Sequence, residues 1–158
     1  MIILRNTIFF VIALTSFSCS QETADKKAPA TEKAAKIISA AKSQIGKTVY
    51  YDPAYVKLDY PNGDIPLERG VCTDVVIRSL RKSLQFDLQK NVHIDMRGNF
   101  SQYPKIWGLS RADKNIDHRR VPNLQTYFKR KGWAVKISNK GSDYKPGDLV
   151  TAMYPGDR

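Results

Sequence analysis

The strongest constraint on the fold is a change of apolar period along the chain, helical through the middle and alternating near the end. Ala34, Ile37, Ile38, Ala41 and Ile45 recur at helical intervals from near Lys33, and Gly46 stands where a C-cap belongs. Val75, Val76, Leu80 and Leu84 mark one face of a second helix that opens around Cys72. Arg78, Arg81 and Lys82 fall opposite, which places Cys72 at the buried end of the apolar stripe. Leu88, Val92 and Met96 mark a third helix ending near Arg97-Gly98. Val121-Pro122 begins a fourth, with Leu124, Tyr127 and Phe128 as its apolar face and Gly132 as its stop. Trp133–Ile137 and Leu149–Met153 alternate as strands do, with a Pro146-Gly147-Asp148 turn leading into the second. Helices first and strands last is an α+β order, not the alternation of a βαβ sheet.

Before Lys33 the chain reads differently. Arg5 precedes an apolar run, Ile8–Leu14, too short to cross a bilayer, so residues 1–18 read as a signal peptide. Cys19 follows Ser18 as the lipidated cysteine of a bacterial lipoprotein does. The polar stretch to residue 32 reads as a flexible tether and 33–158 as one domain. The expected place is the cell envelope, periplasm or outer surface, with a lipid anchor. Twenty-six basic against 15 acidic residues give a net charge of +11, which suits an anionic partner. The charges are spread, and no recognition helix, zinc spacing or aromatic RNA-binding signature accompanies them, so nucleic acid is not the expected partner.

Cys72 then needs explaining. Cys19 is the only other cysteine, so in an exported chain Cys72 has no evident disulfide partner. A helix N-terminus is a place where thiolates are stabilised by the macrodipole and by free backbone N–H groups. A thiol nucleophile also needs a base, usually histidine. His93, on a helix among apolar neighbours, reads as a capping or core residue. His118, in Asn115-Ile116-Asp117-His118-Arg119-Arg120, sits in a loop dense in hydrogen-bonding groups, where a structural role competes with a catalytic one. One cysteine and two scattered histidines give no zinc spacing, and no metal or cofactor is expected.

Ala41–Lys47, Tyr51, Gly70–Val76 and Pro146–Val150 occur in an order that resembles the landmarks of NlpC-type, papain-like cell-wall hydrolases. The segments Tyr51–Tyr55, Arg69–Arg78 and Asn115–Leu124 are more closely similar to a bacterial family of unknown function, number 1287, described as amidase-like. The resemblance covers nearly all of the chain after the tether. It implies a papain-like α+β fold, with N-terminal helices packed on a small antiparallel sheet, and Cys72 as nucleophile. It implies Tyr51, Asp74, His118, Arg119 and Arg120 as oxyanion or substrate-binding residues. Arg119 and Arg120 would read peptide carboxylates, or else hold the loop by pairing with Asp113 or Asp117.

In these families the base is a histidine on the strand after the Pro-Gly-Asp strand, and the sequence ends at Arg158, about where that segment would start. The expectation is therefore a domain without its C-terminal strands, and a thiol amidase or peptidase inactive in this form. The alternative is a non-catalytic envelope lipoprotein that binds cell-wall glycopeptide or an anionic polymer.

Overall fold

The computed structural model describes residues 31–152, so the signal peptide, Cys19 and nearly all of the tether lie outside the described residues. Four α-helices carry the fold: α1 (Glu32–Lys42), α2 (Cys72–Leu84), α3 (Leu88–Gly98) and α4 (Val121–Arg130). Each starts where local chemistry favours it. The Thr31 hydroxyl accepts the Ala34 N–H at α1, and the Asp87 carboxylate accepts the Lys90 N–H at α3. Pro122 occupies the first turn of α4, where its missing N–H costs nothing. Gly46 and Gly132, beyond α1 and α4, take φ of +72° and +71°, a region that favours glycine.

Between α1 and α2 lie two short strands, β1 (Tyr50–Tyr51) and β2 (Arg69–Gly70). They pair in parallel, Tyr50 with Arg69 and Tyr51 with Gly70. The architecture is therefore mixed helix and small sheet, but the sheet is parallel and near the start of the domain. The antiparallel sheet expected from residues 133–137 and 149–153 does not form among the described residues, where 133–138 and 149–152 are irregular. The reason is physical: an alternating segment becomes a strand only when a neighbour takes its N–H and C=O groups. Val135, Ile137 and Val150, each more than 70% exposed, have no covering layer among the described residues. Trp133, half-exposed, lays its ring against α4 instead, stacked on Phe128 at 5.8 Å and edge-on to Tyr127.

The core lies where α2, α3 and α4 meet. Ile77 and Leu80 come from α2, Leu88, Val92 and Met96 from α3, and Leu124 and Tyr127 from α4, closed by Tyr103. At its edge Asp95 receives the Tyr103 hydroxyl at 2.8 Å, Arg130 at 2.7 Å and Lys131 at 3.0 Å. Burial pushes that carboxyl up, but hydrogen bonds from Arg130, Lys131 and Tyr103 outweigh it and hold the pKa at about 2. Helix α1 packs on α2, where the Gln44 amide donates to the Val75 carbonyl at 3.1 Å and the Ser79 hydroxyl at 3.0 Å.

The loop between the strands is held in place by buried polar groups. Gln89, fully buried, accepts the Gly63 N–H at 2.9 Å and donates to the carbonyls of Asp59 and Lys114. A Cβ on Gly63 would collide with the Asp59 carbonyl and come within 3.0 Å of the Gln89 amide. Gly63→Ala is therefore expected to destabilise the fold by about 1–3 kcal/mol, read as a lower midpoint in thermal unfolding. An unchanged midpoint would show that the loop yields freely.

Candidate functional site

Cys72 is the first residue of α2 and its thiol is free and exposed. This corrects its expected place at the buried end of the apolar stripe: it stands on the rim of the helix, open to solvent. The opening of α2 is fastened at several points. The Asp74 carboxylate accepts the Val71 N–H at 2.7 Å, and the Asp74 N–H donates to the Val71 carbonyl at 2.9 Å. Among the described residues the N–H groups of Cys72 and Thr73 have no backbone acceptor, as expected of a first helical turn. Tyr51, largely exposed, is placed beside this turn because its strand partner is Gly70, two residues before Cys72.

Arg119 is the centre of the support. It lies in a short 3₁₀ turn, Asp117–Arg119, and its side chain is 2% exposed. It grips Asp74 through two parallel bonds, Nε to Oδ1 and Nη2 to Oδ2, both 2.9 Å. Its remaining donors reach the carbonyls of Asp52 at 2.9 Å and Ala54 at 3.0 Å. The Thr73 hydroxyl returns a bond to the Arg119 carbonyl at 2.9 Å. One guanidinium thus ties the loop after Tyr51 to the turn that carries Cys72. Arg119 pairs with Asp74 and not with Asp113 or Asp117, and its guanidinium is committed to internal partners. Arg120 does pair with Asp117, at 3.4 Å, and lies over the Trp107 ring at 4.1 Å.

His118 is buried at 2% exposure, and its Nδ1 has no hydrogen-bond partner among the described residues. Burial, opposed by Asp74 and reinforced by Arg119, pulls its pKa down to about 4. The ring is neutral at pH 7. Its ordinary value is 6.5, so between 6.5 and 4 the unfolded chain takes up the proton before the folded chain does. The stability tied to a neutral His118 is present in full above pH 6.5 and is lost as pH falls towards 4. The cost is about 3 kcal/mol at one pKa unit per 1.36 kcal/mol. His118→Ala is expected to lower the melting temperature at pH 7 and to flatten the pH dependence of stability in that window. A slope equal to wild type would remove His118 from this role.

A second buried arginine corrects the expected solvent face of α2. Arg78, 7% exposed, donates to the Asp64 carboxylate at 3.0–3.1 Å and to the carbonyls of Ile65 and Arg69, both at 3.1 Å. Arg81 adds a bond to Asp64 at 3.2 Å. Lys82, by contrast, is exposed as expected. No local signal marks Arg78 for burial, because its partners Asp64, Ile65 and Arg69 come from the segment before α2. Among the described residues no group of His, Cys, Asp and Glu side chains is placed to hold a metal ion, and no helix is long and apolar enough to cross a membrane.

These segments are also where the chain is similar to known sequences. The model of a family described as a domain of unknown function (DUF1287) matches residues 38–158. The chain belongs to the DUF1287 family. It is 58% identical over 115 residues to the uncharacterized protein YijF of Escherichia coli (strain K12), a match covering 73% of this chain and 56% of YijF. The chain therefore spans little more than half the length of that curated relative. No solved structure matches. The matched range takes in every element that builds the site, from the end of α1 through Tyr51, Cys72 and Asp74 to the His118–Arg120 turn of this DUF1287 chain.

Proposed function

We propose that this DUF1287 chain is a thiol amidase or peptidase of the bacterial cell envelope, acting on amide bonds of cell-wall peptides with Cys72 as nucleophile. The observation that carries the reading is an exposed thiol on the first residue of a 13-residue helix whose opening turn is held by a buried Asp74–Arg119 pair. Attack by the Cys72 thiolate on an amide carbonyl, its proton given up to solvent, would form a C–S bond as the carbonyl π pair moves to oxygen. Collapse of that oxyanion would break the C–N bond, the amine leaving with a proton from water and the thioester then being hydrolysed. The N–H groups of Cys72 and Thr73, without a backbone acceptor among the described residues, are the donors available to receive the oxyanion. Tyr51, beside them in the β1–β2 pair, would wall the approach, and Asp74 would keep the turn in position. The wider likeness to NlpC-type, papain-like hydrolases belongs to this proposal. So do export, lipidation at Cys19 and a wall peptide or anionic envelope polymer as partner, all of which rest on the sequence.

One observation favours a second reading. Neither His93 nor His118 has a partner at Nδ1 among the described residues, so neither forms the oriented thiol–imidazole pair of a cysteine hydrolase through that atom. A chain of this kind would bind wall peptide without cutting it. Release of soluble fragments from purified cell wall by wild type and by Cys72→Ala separates the two: release by wild type alone supports the hydrolase, and equal release by both removes it.

A further inference from the structure

A cavity of about 780 Å³ that the Cys72 side chain does not line lies between α3 and the segment before the His118 turn. Its lining combines two chemistries. Arg97, Arg111 and Lys114 bring three positive charges, and Phe100, Leu109 and Ala112 bring apolar surface. Among the described residues none of the three cations enters a salt bridge. The one acid of the lining, Asp113, is occupied by neutral donors: the Tyr55 hydroxyl reaches Oδ2 at 3.0 Å and the Asn115 N–H reaches Oδ1 at 2.9 Å.

His93 also lines the cavity, and its Nδ1 is buried without a partner among the described residues. Tyr60 packs edge-on against that ring at 5.3 Å, and the Lys114 ammonium sits over the Tyr60 ring at 5.4 Å. Arg97 and Lys114 line the same cleft as His93, and burial, then their charges, lower the His93 pKa against the opposing charge of Asp113.

We propose that this cleft binds an acidic peptide, with carboxylates held by Arg97, Arg111 and Lys114 and the peptide backbone lying on the apolar wall beside the His93 ring. The apolar part of the lining is what selects a peptide over a bare phosphate, which would gain nothing from Phe100, Leu109 and Ala112. Guanidinium groups pair with carboxylates through parallel hydrogen bonds, and that role passes here to Arg97 and Arg111 because Arg119 is spent inside the fold. The cleft and the Cys72 turn are linked through the loop that starts at Tyr51. Tyr55 touches Asp113, while the carbonyl of the preceding Ala54 accepts from Arg119. A peptide carried in this cleft would thus lie along the loop that walls the thiol. The binding itself does not need Cys72 to be a nucleophile.

The test is a titration of the ¹⁵N-labelled full chain carrying Cys72→Ala, so that binding is read apart from any cleavage. Three probes are compared at low salt: an end-blocked Ala-Glu-Glu-Ala peptide, its Gln-for-Glu counterpart, and inorganic tripolyphosphate. The acidic peptide is expected to shift the His93 ring and neighbouring resonances, bind about tenfold tighter than the Gln peptide, and weaken as salt is raised. The exposed triple variant Arg97→Gln, Arg111→Gln, Lys114→Gln should lose about tenfold in affinity while keeping its melting temperature. Equal binding of the acidic and Gln peptides, no binding of the acidic peptide, or unchanged affinity in the triple variant each overturns the proposal. Tighter binding of tripolyphosphate than of the acidic peptide overturns it in favour of a phosphate ligand.

Discussion

Cys72→Ala is expected to abolish the release of peptide fragments from cell wall, a loss of about a thousandfold or more, while leaving the melting temperature of the domain where it was. The size of the first effect follows from the role. Removing a nucleophile removes the covalent pathway and leaves only what binding and oxyanion contacts supply. The absence of the second follows from position. Cys72 is exposed and sits at a helix start, so shortening it to alanine creates no cavity and strands no buried partner. The two readouts together matter, because a variant that lost activity by unfolding would say nothing about chemistry. Activity measured by fragment release and folding by circular dichroism should separate cleanly.

Arg119→Ala is expected to behave in the opposite way, with a loss of stability of about 3–5 kcal/mol, seen as a large fall in the denaturation midpoint. A buried ion pair contributes little net stability against an apolar replacement, but removing one partner leaves the other charge uncompensated. Asp74, 4% exposed at its side chain, would be that stranded charge, and the carbonyls of Asp52 and Ala54 would lose donors as well. The double variant Asp74→Asn, Arg119→Gln should recover part of the loss, since it removes both charges together. Equal stability of Arg119→Ala and wild type would mean that the loop after Tyr51 and the Cys72 turn are not coupled through this residue.

The helices were legible because their signals are local. The spacing of Leu88, Val92 and Met96, the Pro122 start and the Gly132 stop each depend on residues within a turn or two, and α2, α3 and α4 lie where those signals place them. The β1–β2 pair was not legible. Two residues carry no period, and their pairing depends on a long loop folding back under Gln89 and Arg78. The alternation at 133–137 and 149–153 was real in the sequence, but among the described residues 133–137 and 149–152 find no strand partner. Arg78 was assigned to solvent because charges usually stay there. Its burial depends on Asp64 and a set of carbonyls supplied from elsewhere in the chain.

The candidate site shows the same division. Cys72, Tyr51 and the Asp74–Arg119 pair belong to segments that stand out in the sequence, and the fold brings them to one turn. What these residues do there is less legible, because a role depends on exposure. Cys72 is open where the apolar stripe implied burial. Arg119 holds the loop, one of the two roles open to it, but through Asp74 and not Asp113 or Asp117. Among the described residues Arg97, Arg111 and Lys114, which carry no local pattern, line the cleft without a salt bridge.

The central claim, that Cys72 is a primed nucleophile, is tested most directly by the rate at which iodoacetamide alkylates it near neutral pH, followed by intact mass and compared with free cysteine under the same conditions. The folded chain is predicted to react faster than free cysteine, and to fall back to the free rate once denatured. A folded chain whose Cys72 reacts no faster than free cysteine would contradict the claim.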